Sequence, residues 1–193
     1  LSASVLILTV NLSLITSQSQ PVATKQTIFC DNESEQRFCI VHNQAFINPM
    51  ILFKTDVQNE RVERLLIEKC SVEVLPVNIA ENFPNVEEIF VLNGKFKNLT
   101  HENFQNLISL TTLELKHGKI SKIDQNSFND LTSLENLSLE KNEISYIHSK
   151  TFWHLENLKV LNVNGNQLTI FHPKTFEKMI NLHALNCQNN QLV

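Results

Sequence analysis

The feature that most constrains this chain is a pattern of apolar residues that recurs every 24 positions. The frame Leu110-x-x-Leu113-x-Leu115 occurs again from Leu134 and from Leu158. Six units share it, the last of them incomplete, and they begin at Val62, Val86, Leu110, Leu134, Leu158 and Leu182. Because one such unit cannot bury its own apolar face, the units are predicted to stack into a solenoid.

Apolar residues also recur later in each unit. One column holds Leu75, Leu99, Ile123, Ile147 and Phe171, and another holds Phe104, Phe128, Phe152 and Phe176. The second column explains why the chain has twelve phenylalanines but one tryptophan and one tyrosine. The alternation that opens each unit predicts a short strand with one buried face, and successive parallel strands need a return segment between them.

The segment from Leu134 to Ile144, LENLSLEKNEI, resembles the L-x-x-L-x-L-x-x-N-x-L unit of extracellular leucine-rich-repeat proteins. The resemblance covers about residues 62 to 193 and implies an α/β solenoid. In that horseshoe, parallel strands line a concave face, and irregular or short helical segments form the convex side. The 24-residue units, the few glycines and the two cysteines that precede the first unit, Cys30 and Cys39, are further similar to insect leucine-rich immune proteins and, less closely, to Toll-type receptor ectodomains.

The position that the family fills with asparagine varies in this chain. It reads Cys70, Gly94, Gly118, Asn142, Asn166 and Asn190. The resemblance implies that these asparagines bond to the backbone of the loops. Since Gly94 and Gly118 have no side chain to do so, we predict that their units are looser, with backbone groups turned to water or to bound water.

The start of the chain predicts secretion. Residues 1–19 contain an apolar run from Val5 to Ile15, followed by Ser17 and Ser19 at the spacing of a signal-peptidase site. We interpret them as a signal peptide that lacks its beginning, and we expect the natural protein to continue beyond Val193. Three sequons predict glycosylation, at Asn32, Asn98 and Asn136.

The four cysteines allow three pairings in a secreted chain. In the repeat frame, Cys70 occupies the asparagine position, where the family also uses cysteine, and Cys187 occupies an inward strand position. Those two lie about five repeats apart, beyond the reach of a disulfide. We therefore predict one disulfide, Cys30 to Cys39, in an N-terminal cap that covers residues 20–61 and precedes the repeats of residues 62–193.

The strand residues between the inward leucines are predicted to face the concave surface. A protein-binding site is predicted there, at Leu66, Phe90, Leu92, Glu114, Lys116, Glu140 and Asn162. Three large apolar residues among them are typical of a contact surface. The alternative is that residues 40–61 fold over these three. A glycan on Asn136 would shield the middle of the same face.

Other kinds of function find little support in the sequence. Asp124, His148 and His172 share one convex-side position, where we interpret them as solvated loop residues; a metal site or a response to mild acid is the alternative. No catalytic motif, cofactor site or basic block for nucleic acid is present.

The sequence therefore predicts a non-enzymatic recognition module for a protein partner, in innate immunity or cell-surface signalling. It is predicted to be secreted or on the outer face of the plasma membrane, with membrane attachment only through a further C-terminal part. The alternative is a structural or regulatory subunit of the extracellular matrix or of a secreted enzyme complex.

Overall fold

The computed structural model describes residues 6–10, 26–31, 38–42, 45–46, 62–68, 71–72, 75, 77 and 79–193. It gives only the backbone of the ranges before residue 62 and of residues 68, 71 and 72. One nine-stranded sheet runs through this part of the chain in the order β1-β2-β3-β5-β7-β9-β11-β12-β13. Its strands are β1 (Leu6–Val10), β2 (Gln26–Asp31), β3 (Phe38–His42), β5 (Arg64–Glu68), β7 (Glu88–Leu92), β9 (Thr112–Lys116), β11 (Asn136–Ser138), β12 (Val160–Asn162) and β13 (Ala184–Asn186).

The six repeat strands pair in parallel with a constant offset of one repeat. Leu65 lies opposite Ile89, Leu113 opposite Leu137, and Leu137 opposite Leu161. The inward residues of β5 to β12 are buried, and they form one continuous apolar core with the later columns of each repeat. The predicted solenoid with a parallel concave sheet is therefore confirmed.

Short elements occupy the convex side between the strands. They are β4 (Ala45–Phe46), which pairs with β6 (Ser71–Val72), helix α1 (Ile79–Asn82), β8 (Asn98–Leu99), which pairs with β10 (Lys122–Ile123), and a 3-10 helix (His101–Asn103). The phenylalanine column packs beneath them. The ring centroids of Phe104 and Phe128 are 5.5 Å apart, and those of Phe128 and Phe152 are 6.1 Å apart. Each ring therefore covers the core of the neighbouring repeat, as the sequence predicts.

The strands before the repeats join the same sheet. β1 pairs with β2 and β2 with β3, both antiparallel, and β3 pairs in parallel with β5. Cys30 lies opposite Cys39 in the register of β2 and β3, and opposite residues of antiparallel strands have Cα separations within the range of disulfides. Their side chains lie outside the described residues, so the disulfide, the signal peptide and the cap stay predictions. The side chain of Cys70 is also outside them, and Cys187 is a free thiol packed partly against the core.

The asparagine position joins neighbouring repeats in the C-terminal half. The side-chain oxygen of Asn142 accepts a hydrogen bond from the backbone N–H of Ile120 at 3.1 Å. Its amide nitrogen donates to the carbonyl oxygens of Leu115 and Leu139 at 2.8 and 3.0 Å. Asn166 and Asn190 repeat this arrangement one and two units later. Each asparagine thus satisfies backbone groups of two units at once.

Gly94 itself is buried rather than exposed to solvent. The predicted looseness of the glycine units stays a prediction. The ring of Phe96, itself 2% exposed, fills the space that a side chain at position 94 would need. Apolar packing therefore replaces the hydrogen bonds of an asparagine in this repeat, whereas Gly118 lies beside the side-chain oxygen of Asn142.

The residue that follows each strand region adopts the left-handed conformation. Five consecutive repeats share this feature, at Asn93, His117, Lys141, Gly165 and Asn189, with φ between 53° and 68°. The left-handed region is costly for residues with a Cβ atom, and Asn tolerates it better than Lys. The turn therefore recurs because the repeat geometry requires it, even where the residue does not favour it.

Candidate functional site

The apolar residues of the predicted binding surface lie next to one another on the concave face. Leu66 of β5 is opposite Phe90 of β7, and Leu92 ends β7 on the same face. Their flanking residues Ile67, Ile89 and Val91 are buried in the core, so strand alternation directs these three the other way. All three are half-buried rather than fully exposed. We call Leu66, Phe90 and Leu92 the apolar patch.

The centre of the concave face is charged. Glu114 lies opposite Phe90, and Lys116 lies opposite Leu92. The Lys116 Nζ atom is 2.8 Å from Glu114 Oε2, and both side chains are about a quarter exposed. At the start of the two strands that carry the apolar patch, Arg64 makes a two-pronged ion pair with Glu88. Paired charges therefore border the patch at the beginning of its own strands and on the neighbouring strand β9.

The next two repeats continue this surface with polar groups. The Asn162 amide donates to Glu140 Oε2 at 3.3 Å, and Lys141 Nζ is 3.8 Å from Glu140 Oε1. The backbone N–H of Asn164 donates to the Asn162 side chain at 3.0 Å. The predicted residues Glu140 and Asn162 thus contact each other across two strands, and with the apolar patch they form one continuous surface.

The sequence did not single out Ser138, which lies between Glu114 and Asn162 in the register of β9, β11 and β12. Its side chain is in a concave-face position but is only 7% exposed. Among the described residues its hydroxyl has no hydrogen-bond partner. The sequence does contain a sign of this burial: at the same outward position in three successive repeats, the short Ser138 stands between the longer Glu114 and Asn162.

The sequons differ in their surroundings. Asn98 opens the convex-side strand β8 and is exposed. Asn136 lies in β11, between two paired strands, where its amide is 3.5 Å from the Thr112 hydroxyl. Asn32 lies outside the described residues. Glycosylation at all three stays a prediction.

The convex-side histidines act as local hydrogen-bond acceptors. The Nδ1 atom of His148 accepts a bond from the backbone N–H of Lys150 at 3.1 Å, and His172 does the same for Lys174. Asp124 faces Lys122, with 3.4 Å between the charged atoms. Within the ranges that the structure covers, no group of three His, Cys, Asp or Glu side chains is arranged to hold a metal.

A carboxylate joins the turns of two repeats on the same side. Asp130 Oδ2 accepts the backbone N–H of Asn106 at 2.8 Å, and His101 Nε2 is 3.2 Å from Asp130 Oδ1. The hydrogen bond from Asn106, assisted by His101, lowers the pKa of Asp130 below its ordinary value, against a smaller opposing effect of burial. This contact stabilises the fold rather than a binding site.

The leucine rich repeat family model matches residues 84–144 and 132–192, more than half of the chain. The chain belongs to the leucine-rich-repeat family. Proteins of this family typically bind other proteins, and they are generally binding modules rather than enzymes. The predicted family and fold are thereby confirmed.

Solved structures agree with this assignment. A Leptospira interrogans leucine-rich-repeat protein is 33% identical with a TM-score of 0.61, and a Listeria monocytogenes internalin is 26% identical with a TM-score of 0.55. The match covers 68% of this chain in both cases, and 32% and 36% of those chains. The APL1 leucine-rich-repeat domain, 18% identical with a TM-score of 0.60, covers 80% of this chain and 47% of its own, and it supports the fold alone.

This leucine-rich-repeat chain thus spans about a third to a half of the solved structures that it resembles. No curated protein sequence matches it. The described helices include none that is long and apolar enough to cross a membrane.

Proposed function

We propose that this chain is an extracellular recognition module that binds another protein on its concave face, with the apolar patch as the main contact. The observation that carries the proposal is the adjacency of half-buried Leu66, Phe90 and Leu92 on paired strands. Neighbouring strands limit the rotamers of these side chains before a partner arrives. Little ordering entropy is then lost on binding, and an aromatic residue at the centre is typical of an interface hot spot.

The proposal that this chain is extracellular is supported by its sequence alone. The predicted signal peptide and the sequons support a chain that is secreted or held on the outer face of the plasma membrane. The resemblance to insect leucine-rich immune proteins supports a role in innate immunity or cell-surface signalling. Expression of the chain with its own residues 1–19, followed by assay of the medium, tests secretion directly.

The binding face is tested with a photo-reactive phenylalanine analogue at position 90. Ile108 provides the matched control, because it is a large apolar residue outside the concave sheet and 62% exposed. Cross-linking on cells and in extracellular fluid of the source organism should yield a specific protein adduct from position 90 and not from position 108.

The adduct is then purified as the partner for an affinity measurement. Phe90→Asp should weaken its binding by about 30-fold, the loss expected for a hot-spot residue worth about 2 kcal/mol. Ile108→Asp should leave affinity unchanged, and both variants should melt close to the parent chain. A large fall in melting temperature for Phe90→Asp alone would show that residues 40–61 cover the apolar patch as core, and the proposal would then be wrong.

A further inference from the structure

An exposed aromatic residue stands in line with a glycosylation sequon on the convex side. Asn98 in β8 lies opposite Lys122 in β10, and Tyr146 occupies the same position one repeat later. All three residues are exposed, and each precedes a buried residue of the column that contains Leu99. Their side chains therefore lie on one surface. Because adjacent paired strands are about 5 Å apart, two repeats place Tyr146 about 10 Å along the solenoid from Asn98.

A small cavity lies between the repeats of Lys122 and Tyr146. Its volume is about 260 Å³, and it is lined by residues 121–125 of one repeat and by Tyr146 and His148 of the next. Tyr146 is 59% exposed, so the face of its ring is accessible from solvent. A space of this size suits one sugar ring rather than a large ligand. The C–H groups of a pyranose ring pack well on an apolar aromatic face of this kind.

The polar groups of the cavity suit a neutral ligand with hydroxyl groups. Lys122 Nζ and Asp124 Oδ1 are 3.4 Å apart, so these two lining charges satisfy each other. His148 Nδ1 accepts the backbone N–H of Lys150, so its Nε2 atom carries the ring proton and can donate. The amide of Gln125 adds donors and an acceptor. A sugar can use each of these groups without separating the ion pair.

A second cavity extends this surface toward the repeat that carries Asn98. Its volume is about 370 Å³, and it is lined by His101, Glu102, Asp124, Gln125 and Asn126. Since Asp124 and Gln125 line both cavities, the two form one trough, which begins three residues after Asn98. Phe96, the aromatic residue nearest to the sequon in the chain, is 2% exposed and cannot contact a sugar. Tyr146 is therefore the aromatic platform that a saccharide on Asn98 meets along the trough.

We infer that the N-linked glycan of Asn98 folds along this trough and packs its first sugars on Tyr146. The two N-acetylglucosamine residues that begin such a glycan cover the distance between the two side chains. Because a tethered ligand has a high effective concentration, weak contacts suffice to hold it. The inference rests on the extracellular setting of the proposed function, since only a chain that enters the secretory pathway receives this glycan. The contact lies on the convex side and leaves the apolar patch free.

The test uses the whole chain, secreted from eukaryotic cells that are supplied with isotopically labelled sugars. Mass spectrometry of the peptide that contains Asn98 measures its occupancy, and the NMR signals of its glycan are those that Asn98→Gln removes. In the parent chain, the ring current of Tyr146 should shift protons of the first two sugars upfield relative to a free glycopeptide of the same sequence. Tyr146→Ser should return these signals to the free values.

Two further variants show whether the aromatic ring itself makes the contact. Tyr146→Phe should keep the upfield shift, because the packing needs the ring and not its hydroxyl. Ile170→Ser is the matched control, since Ile170 occupies the same position one repeat later, is 63% exposed and lines neither cavity. It should leave the sugar signals unchanged. Both positions are exposed, so all three variants should fold like the parent chain, which circular dichroism verifies.

Each of three results would overturn the inference: a secreted chain without a glycan on Asn98, sugar signals at the free values in the parent chain, or an equal loss of the shift in Ile170→Ser. A chain that does not reach the medium would refute the extracellular setting as well. The concave face is tested separately, by the effect of Phe90→Asp on the purified partner. Failure of the glycan contact and failure of the proposed function are therefore distinguishable.

Discussion

Replacement of a buried hydroxyl that lacks a hydrogen-bond partner is expected to stabilise the chain, whereas most substitutions of buried residues destabilise it. Four residues occupy the same convex-side position in successive repeats: Asn103, Ser127, Thr151 and Thr175. The Ser127 hydroxyl donates to the Leu99 carbonyl at 2.9 Å, whereas the Thr151 hydroxyl, although its residue is only 1% exposed, has no partner among the described residues. Thr151→Val should therefore stabilise the chain, and Ser127→Ala should destabilise it.

The two magnitudes follow from the hydrogen bonds. Valine keeps the shape of threonine and removes the unsatisfied hydroxyl, which should raise the free energy of unfolding by about 1 kcal/mol. Ser127→Ala removes one hydrogen bond, but the Leu99 carbonyl still accepts the backbone N–H of Asp124 at 3.0 Å. The loss should therefore be about 1 kcal/mol, near the net value of one bond rather than that of an orphaned carbonyl.

Urea unfolding followed by circular dichroism measures both effects. With a slope of about 2 kcal/mol/M, Thr151→Val should raise the midpoint by about 0.5 M, and Ser127→Ala should lower it by a similar amount. Thr175→Val should behave like Thr151→Val, because the Thr175 hydroxyl also has no partner among the residues that the structure describes. If Thr151→Val lowers the midpoint as far as Ser127→Ala, the threonine hydroxyl is bonded in solution and the reasoning fails.

Three further predictions concern the repeat framework. Asn142→Ala should lower the free energy of unfolding by about 3 kcal/mol, because three good hydrogen bonds are lost; the exposed Asn126→Ala serves as control in the same urea assay. Gly165→Ala should cost about 1 kcal/mol, since φ is +68° there, and a melting temperature equal to that of the parent would contradict this. Asp130 has a lowered pKa in the folded chain, so its stabilisation is present above the unfolded value and is lost as pH falls through the folded value. Asp130→Asn should therefore be destabilising at pH 7, and the difference from the parent chain should shrink as the pH falls through the folded pKa; a difference that does not change with pH would argue against the assignment.

The 24-residue period predicted the part of the fold that depends on buried apolar columns. Residues such as Leu113 and Phe128 repeat in kind and in place, and burial alone specifies where they go. The period could not predict features that depend on one particular neighbouring residue. Gly94 is compensated by the unusual Phe96, and Ser138 is buried because the adjacent strands carry longer residues. Both facts require the register between repeats, which the pattern of one repeat does not contain.

The site was predictable to a similar degree. Alternation placed the apolar patch and Glu114 on the outward face, since one strand determines its own two faces. The ion pair of Arg64 with Glu88 and the bond between Asn162 and Glu140 were not foreseen. They join side chains of different strands, whose rotamers depend on the local shape of the sheet.

The constant offset between strands has a consequence for how this protein can change in length. Removal of residues 110–133 would bring the unit that begins at Leu134 against the one that begins at Val86, with every inward column still aligned. Asn142 would then meet Phe96, whose backbone N–H occupies the place that Ile120 now has. A deletion one residue shorter would instead turn the next strand over and expose its leucines. Duplication or loss of a segment of this chain is therefore tolerable in whole units of 24 residues. Designed chains with more or fewer repeats can be cut at the same boundaries.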